Sequence, residues 1–289
     1  MSSFHYFLTR RFTLQTVAEK QEKQIRKNQL NDLSGKEWLK LTKSWFIIKP
    51  LARREKVLHP ASFPEELAER YIKFFSNKGD WVFDPFLGTG SSLITSSRLN
   101  RNGIGIELYE KYFKIAQKRI EFSNLDNSKN FLFNTDARNI SKIFKTYCLP
   151  EIDLCITSPP YWDQLDQKDK RQKSREEINL DTNYGEDTSD LGGVHDYNIF
   201  LNELETIFNQ IYDITKKNGH LIVITNNIYK NKKIWPLAFD TFAMLSKKWI
   251  AKDEQIWCQN DKKLFPFGIF STYVGNRCHH YCFIFQKLG

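Results

Sequence analysis

The chain has 289 residues, 40% hydrophobic and 15% aromatic, enough to bury the core of one large α/β domain with decorations. A mean hydropathy of −0.53, with no run of eighteen apolar residues, argues against a membrane span. The net charge of +9 is uneven: residues 1–56 hold thirteen Lys and Arg against five Asp and Glu, which leaves about +1 for all the rest. Met1-Ser2-Ser3-Phe4-His5-Tyr6 has neither the charged nor the apolar region of a signal peptide. Five unevenly spaced cysteines (148, 155, 258, 278, 282) suit a reducing cytoplasm better than a disulfide framework.

In chain order, 13–30 reads as a polar helix. Ser34-Gly35-Lys36-Glu37 is a capping box that opens a helix with Trp38, Leu41 and Trp45 on one side. Ser62-Phe63-Pro64-Glu65 is a second box with proline at the first helical position, followed by an apolar face of Leu67, Tyr71, Phe74 and Phe75. Strands are expected near 81–83, 103–107, 130–133 and 152–157, with helices near 91–100 and 109–122 between the first three. Residues 163–196 are polar and turn-rich, the composition of a functional or disordered loop. Helix 197–217 carries Phe200, Leu201, Leu204, Ile207, Phe208, Ile211 and Ile214, and Gly219 ends it. A strand at 221–225, a helix near 235–247 and strands near 250–258 and 280–287 complete a seven-stranded sheet.

Ser158-Pro159-Pro160-Tyr161 stands where the strand at 152–157 ends. In an open α/β sheet, ligands bind outside the carboxyl ends of the strands. Two prolines fix φ and remove two N–H donors, so nearby carbonyls are left to accept hydrogen bonds from something else. Fixed acceptors beside the ring of Tyr161 suit a planar ligand with an NH2 group. Taken alone, the stretch reads first as a proline turn ending a strand.

A second motif shifts that balance. Asp84-Pro85-Phe86-Leu87-Gly88-Thr89-Gly90-Ser91 joins a strand to a helix start through a glycine turn, where backbone N–H groups approach a ligand closely. No Lys follows Gly90 as a phosphate loop requires, and the third glycine of a dinucleotide fingerprint is missing. Glu107 ends the next strand, where an acid usually binds ribose hydroxyls, and Asp136 follows the third. Each acid alone reads as a cap or a solvated strand end. Recurrence at successive strand ends favours an adenosine-type cofactor.

Together, 84–91, Ser158-Pro159-Pro160-Tyr161-Trp162 and His59-Pro60-Ala61-Ser62-Phe63-Pro64 resemble the DNA amino-methyltransferases over roughly residues 57–287. The resemblance implies the S-adenosylmethionine-dependent methyltransferase fold: a mostly parallel, doubly wound, seven-stranded sheet with an antiparallel last strand. It implies S-adenosylmethionine as cofactor, with Asp84, Phe86, Gly88, Thr89, Gly90 and Ser91 along the methionine moiety and Glu107 and Leu108 at the ribose. Asp136 and Ala137 fall at the adenine, and Phe63 packs on the cofactor or merely on its own helix start. Ser158, Pro159, Pro160 and Tyr161 become the catalytic loop. The family writes Ser-Pro-Pro-Tyr most often for N4-cytosine enzymes and Asp- or Asn-Pro-Pro-Tyr for most N6-adenine enzymes. The motif style is that of the β group, yet the cofactor half precedes the catalytic half here, as in a circular permutant.

The expected partner is double-stranded DNA, with a cognate restriction endonuclease as a candidate and monomer or homodimer both open. Arg10, Arg11, Arg53 and Arg54 in a basic helical region 1–56 are expected on phosphates. Trp162, Lys168, Arg171 and Lys173, in or beside the polar insert 163–196 of a catalytic domain 57–289, are expected nearer the target base. Competing readings are N6-adenine methylation, methylation of RNA bases or protein glutamine, and a nucleic-acid-binding module without catalysis. Cys278-His279-His280-Tyr281-Cys282 invites zinc, but 278, 280 and 282 alternate as on one strand face and no second ligand pair is near, so no metal is expected. No Pro-Cys dipeptide occurs, which counts against C5-cytosine chemistry.

Overall fold

A computed structural model describes residues 30–48, 63–123, 128–162, 190–260, 262–267 and 273–289. Among the described residues ten strands run β1 (Trp45–Ile47), β2 (Trp81–Asp84), β3 (Asn102–Glu107), β4 (Asn130–Asn134), β5 (Ile152–Thr157), β6 (Thr215–Thr225), β7 (Ile228–Lys230), β8 (Lys233–Trp235), β9 (Ile250–Cys258) and β10 (His279–Gln286). The helices are α1 (Gly35–Leu41), α2 (Glu65–Phe75), α3 (Ser91–Arg98), α4 (Glu110–Phe122), α5 (Ile140–Thr146), α6 (Tyr197–Ile214) and α7 (Leu237–Leu245).

One sheet has the order β1-β9-β10-β6-β5-β2-β3-β4, and β7 and β8 form a separate hairpin. Within the large sheet only β10 is reversed, pairing antiparallel with both β6 and β9. Alternate residues of each strand feed opposite faces. Phe83, Cys155, Leu221, Val223, Phe283 and Phe285 pack under α5, α6 and α7. Val82, Leu154, Ile156, Ile222, Ile224, Cys282 and Ile284 pack under α2, whose Leu67, Ala68, Tyr71 and Ile72 are buried. Apolar residues on both faces of the central strands are the mark of a parallel sheet covered twice. On β3, a Cβ at Gly105 would lie 2.7 Å from Leu87 Cδ2 and 3.0 Å from Leu93 Cδ2, so the glycine lets α3 and its preceding loop sit down on the sheet.

Several expectations change. Among the described residues the large sheet has eight strands, not seven, because β1 adds to β9 with Trp45 opposite Ile256. Trp45 therefore belongs to a strand; the capping-box helix, with Ser34 and Glu37 bonded reciprocally, stops at Leu41. A three-residue strand is too short to show a period. At α2 the N-cap is Pro64, which has no side chain to cap with, and Glu65 is the first helical residue. Helix α6 ends at Ile214 rather than 217: Thr215 turns to extended backbone, and β6 starts there with a register irregularity against β5. Asn31 Nδ2 donates to Phe74 O at 2.6 Å and Trp38 packs 4.5 Å from Phe74, so α1 and β1 are part of the body of the domain. The polar helix at 13–30, all but its last residue, lies outside the described residues, as do 163–189 of the polar insert.

Candidate active site

The site forms where β2, β3, β4, β5 and β6 end at one edge. Asp84 closes β2 and is 1% exposed. Ser92 Oγ donates to its Oδ2 at 2.6 Å, Thr157 Oγ1 to its Oδ1 at 2.8 Å, and Phe86 N to its Oδ1 at 3.1 Å. One carboxyl thus ties β2 to the start of α3 and to the end of β5. Burial outweighs these bonds and pushes its pKa up to about 6.

The loop 85–90 needs its glycines. Gly88 has φ 55° and Gly90 φ 87°, left-handed values that a side chain would resist. Gly90 is the N-cap of α3 and offers no side-chain cap, so the first N–H groups of that helix face the edge without one. Glu107 supports the loop from β3: Gly88 N donates to its Oε2 at 2.7 Å and Tyr109 N to its Oε1 at 2.9 Å. Burial, with Asp84 and Asp190 as further acids, raises Glu107 to about 7. Arg119 on α4 donates to Thr89 O at 2.5 Å and pairs with Glu65 at 2.8 Å, clamping the loop from outside. Tyr109 Oη donates to Asp190 Oδ2 at 2.8 Å, which brings the chain back to this edge after the insert.

Asp136 ends β4's connection as the cap of a short 3-10 turn and is bound by Arg138, whose Nη2 lies 2.8 Å from Oδ2. Ala137 is buried beside it, and the carbonyls of Glu107 and Leu108 accept from Asn134 Nδ2 at 2.8 and 2.9 Å. Phe63 is buried with Leu67 and Tyr71 against the sheet. Phe86 is half-buried against the main core.

Ser158, Pro159, Pro160 and Tyr161 leave β5 directly beside the Asp84–Thr157 bond. The Tyr161 hydroxyl is 2.9 Å from His280 Nδ1, and burial raises the phenol's pKa. His280, at the start of β10, stacks on Trp257 at 5.1 Å. Burial first, then Lys262 and His279, push His280 down to about 3, so it is neutral at physiological pH. Trp162 departs from expectation. It is 3% exposed, donates Nε1–H to His195 O at 3.2 Å and packs on Tyr197 and Trp235, so it is a core residue and not a surface for a duplex. Arg10, Arg11, Arg53, Arg54, Lys168, Arg171 and Lys173 lie outside the described residues.

Sequence reasoning passed over Ser92, Thr157, Arg119, Tyr109 and Asp190 as site-building residues. It weighed His280 only as a metal ligand. The alternation at 278–282 was the available signal: it sets His280 and Cys282 on one face of β10, where His280 meets Trp257. Among the described residues no three His, Cys, Asp or Glu side chains gather as metal ligands.

At this edge an acid-supported glycine loop lies beside the Ser-Pro-Pro-Tyr loop. The chain belongs to the DNA methylase family of the N6 and N4 type, whose model matches residues 6–118 and 152–287. It is similar to the Type II methyltransferase M2.DpnII of Streptococcus pneumoniae, 44% identical over 24% of this chain and 26% of the relative. The Type II methyltransferase M.BglI of Bacillus subtilis is 36% identical over 34% of this chain and 28% of the relative. The chain thus spans about a quarter of the length of the curated relatives it matches. Among solved structures, TrmN from Thermus thermophilus shares the fold at a TM-score of 0.50 and 14% identity, covering 79% of this chain and 50% of that one. Family membership makes S-adenosylmethionine the cofactor. The residues present fit it: a buried carboxyl at the end of β3 for a ribose diol, and a helix start without a side-chain cap for the amino-acid carboxylate.

Proposed function

We propose that the chain is a site-specific DNA methyltransferase that methylates the exocyclic N4 amino group of cytosine in a base flipped out of the duplex. The observation that carries this is the exit of Ser158-Pro159-Pro160-Tyr161 from β5 within one hydrogen bond of the Asp84 brace. Bound S-adenosylmethionine supplies a methyl group already activated on sulfur. The difficulty is the acceptor amine, whose lone pair is delocalised into the ring. Ser158 Oγ and the Pro159 carbonyl accept its two N–H hydrogens and turn the lone pair toward the methyl. Neither is a strong base, so the gain is in positioning and a fixed electrostatic environment. Tyr161 stacks on the base, which must leave the duplex to reach the loop.

Serine as the first residue of the loop favours cytosine N4 over adenine N6. Relatives named Type II methyltransferases support a restriction-modification setting, with duplex DNA and a cognate endonuclease as partners. Unpaired cysteines at all five positions fit a reducing cytoplasm. The test is nucleoside mass analysis and methylome sequencing of DNA from cells expressing the chain. N4-methylcytosine at one recurring sequence is expected; N6-methyladenine instead would overturn the choice of base, and no DNA methylation at all would overturn the activity.

A further inference from the structure

Immediately after β6 the chain forms the hairpin β7–β8, with Ile228 opposite Trp235, Tyr229 opposite Ile234 and Lys230 opposite Lys233. Its place is fixed by register. Thr157 pairs with Val223 across β5 and β6, so the catalytic loop and the hairpin leave the same sheet edge from neighbouring strands. The base of the hairpin is anchored: Ile228 is 1% exposed, and Trp235 packs 4.6 Å from Trp162, the residue that follows Tyr161.

The tip is of a different character. Asn231 and Lys232 form its two-residue turn, with φ of 53° and 61°. That is the turn whose twist suits a tight hairpin, and its second position usually goes to glycine. A lysine there holds a left-handed backbone that side chains resist. Strain of this kind at an exposed position is the sort of outlier that points to function. Lys230 Nζ lies 4.7 Å above the Trp162 ring and Lys233 Nζ 3.7 Å above Trp235, so the flanking cations are propped on aromatic faces. Arg277 adds a fourth positive group 5.6 Å over Tyr229. Asn231, Lys232, Lys233 and Ile234 are exposed, and among the described residues no carboxylate pairs with Lys232 or Lys233.

We propose that the β7–β8 hairpin is a DNA-contacting element whose lysines bind backbone phosphates flanking the base held at Ser158–Tyr161. The assignment rests on the DNA methyltransferase reading and goes beyond it by naming the surface. Phosphates are the partner the chemistry selects: a rigid, strongly cationic two-stranded tip, set beside a site that must receive a nucleotide drawn out of a duplex.

The experiment measures duplex affinity against salt for the full chain and for Lys232→Gln/Lys233→Gln. The comparison variant, Lys247→Gln/Lys248→Gln, removes equal charge just ahead of β9, at the opposite edge of the sheet. The hairpin variant is expected to bind duplex tenfold or more weakly at low salt, with the slope of log K against log salt flatter by up to ~1.8 for two lost contacts. Its affinity for S-adenosylmethionine should be unchanged, Lys232→Arg/Lys233→Arg should restore the slope, and the comparison variant should retain it. A hairpin variant with the wild-type slope, or a comparison variant that loses as much, overturns the hairpin assignment alone. A wild-type chain that binds cofactor but no duplex overturns the DNA reading and the hairpin with it.

Discussion

The phenolic oxygen of Tyr161 lies 2.9 Å from Nδ1 of His280, joining the loop that leaves β5 to the first turn of side chains on β10. The two residues are 119 positions apart in the chain, and β6 lies between β5, which the loop of Tyr161 follows, and β10, which carries His280. His280 is itself held by its stack on Trp257. The ring expected to receive the flipped base is therefore fixed by a neutral imidazole.

Tyr161→Ala removes the stacking ring and should cost ~1–3 kcal/mol in turnover on the target, with cofactor affinity nearly unchanged. Tyr161→Phe keeps the ring and loses one hydrogen bond, a loss of about 1 kcal/mol. If the bond is what His280 provides, His280→Phe should add little to Tyr161→Phe. Single-turnover rates for the two variants and the double variant check this; fully additive losses would separate the residues. His280 also sets an acid limit. Its folded pKa is depressed to about 3, so its contribution is complete above the unfolded value near 6.5 and is lost as pH falls from there toward 3.

Glu107 works in the opposite sense. Its pKa is raised to about 7, so in the free protein it holds a proton that the unfolded chain has lost above pH 4.5. Its share of stability is full below pH 4.5 and declines as pH rises through 7. Cofactor binding should show the complementary trend. A ribose diol donates to a carboxylate better than to a carboxylic acid, and the cofactor carries net positive charge. Affinity for S-adenosylmethionine measured by calorimetry should rise from pH 6 to pH 8, and Glu107→Gln should flatten that rise. A flat wild-type profile would detach Glu107 from the cofactor.

Asp84 is a structural hub for both halves of the site. Asp84→Ala leaves the donors of Ser92, Thr157 and Phe86 without their acceptor inside the protein, at about 1–3 kcal/mol for each buried group left unsatisfied. The melting temperature and the cofactor affinity should fall together. With a folded pKa near 6, its wild-type carboxyl favours the fold most below pH 3.8 and progressively less up to pH 6. Unfolding curves between pH 4 and 7 for wild type and Asp84→Asn would show whether that slope belongs to Asp84.

Gly90→Ala tests the loop's backbone. The new Cβ would sit 3.2 Å from Ala116 Cβ in a left-handed conformation costing about 1–2 kcal/mol. Cofactor affinity should drop several-fold while the sheet's circular dichroism is retained. Wild-type affinity in this variant would mean that the loop does not shape the pocket.

Legibility in the sequence followed the density of local signal. Strands β2 to β5 end in Asp84, Glu107, Asn134 and Thr157, and each is followed by glycine, acid or proline punctuation, so the strands there were readable. The hairpin was not: Asn231-Lys232 lacks the glycine that advertises such a turn. Nor was α5, seven residues long, or β1 with three. Trp162 was misplaced because adjacency to Tyr161 says nothing about direction, and its aromatic partners at 197 and 235 are far along the chain. The Tyr161–His280 contact is wholly tertiary, and no spacing rule reaches it.

The brace at Asp84 bears on how the two halves of the site are held together. Its hydrogen bonds reach Ser92 and Thr157 directly, 8 and 73 positions downstream. Of the side-chain bonds to this carboxyl, the one from Thr157 crosses between the halves, so one buried acid doubles as a cross-brace beside the two-residue pairing of β2 with β5.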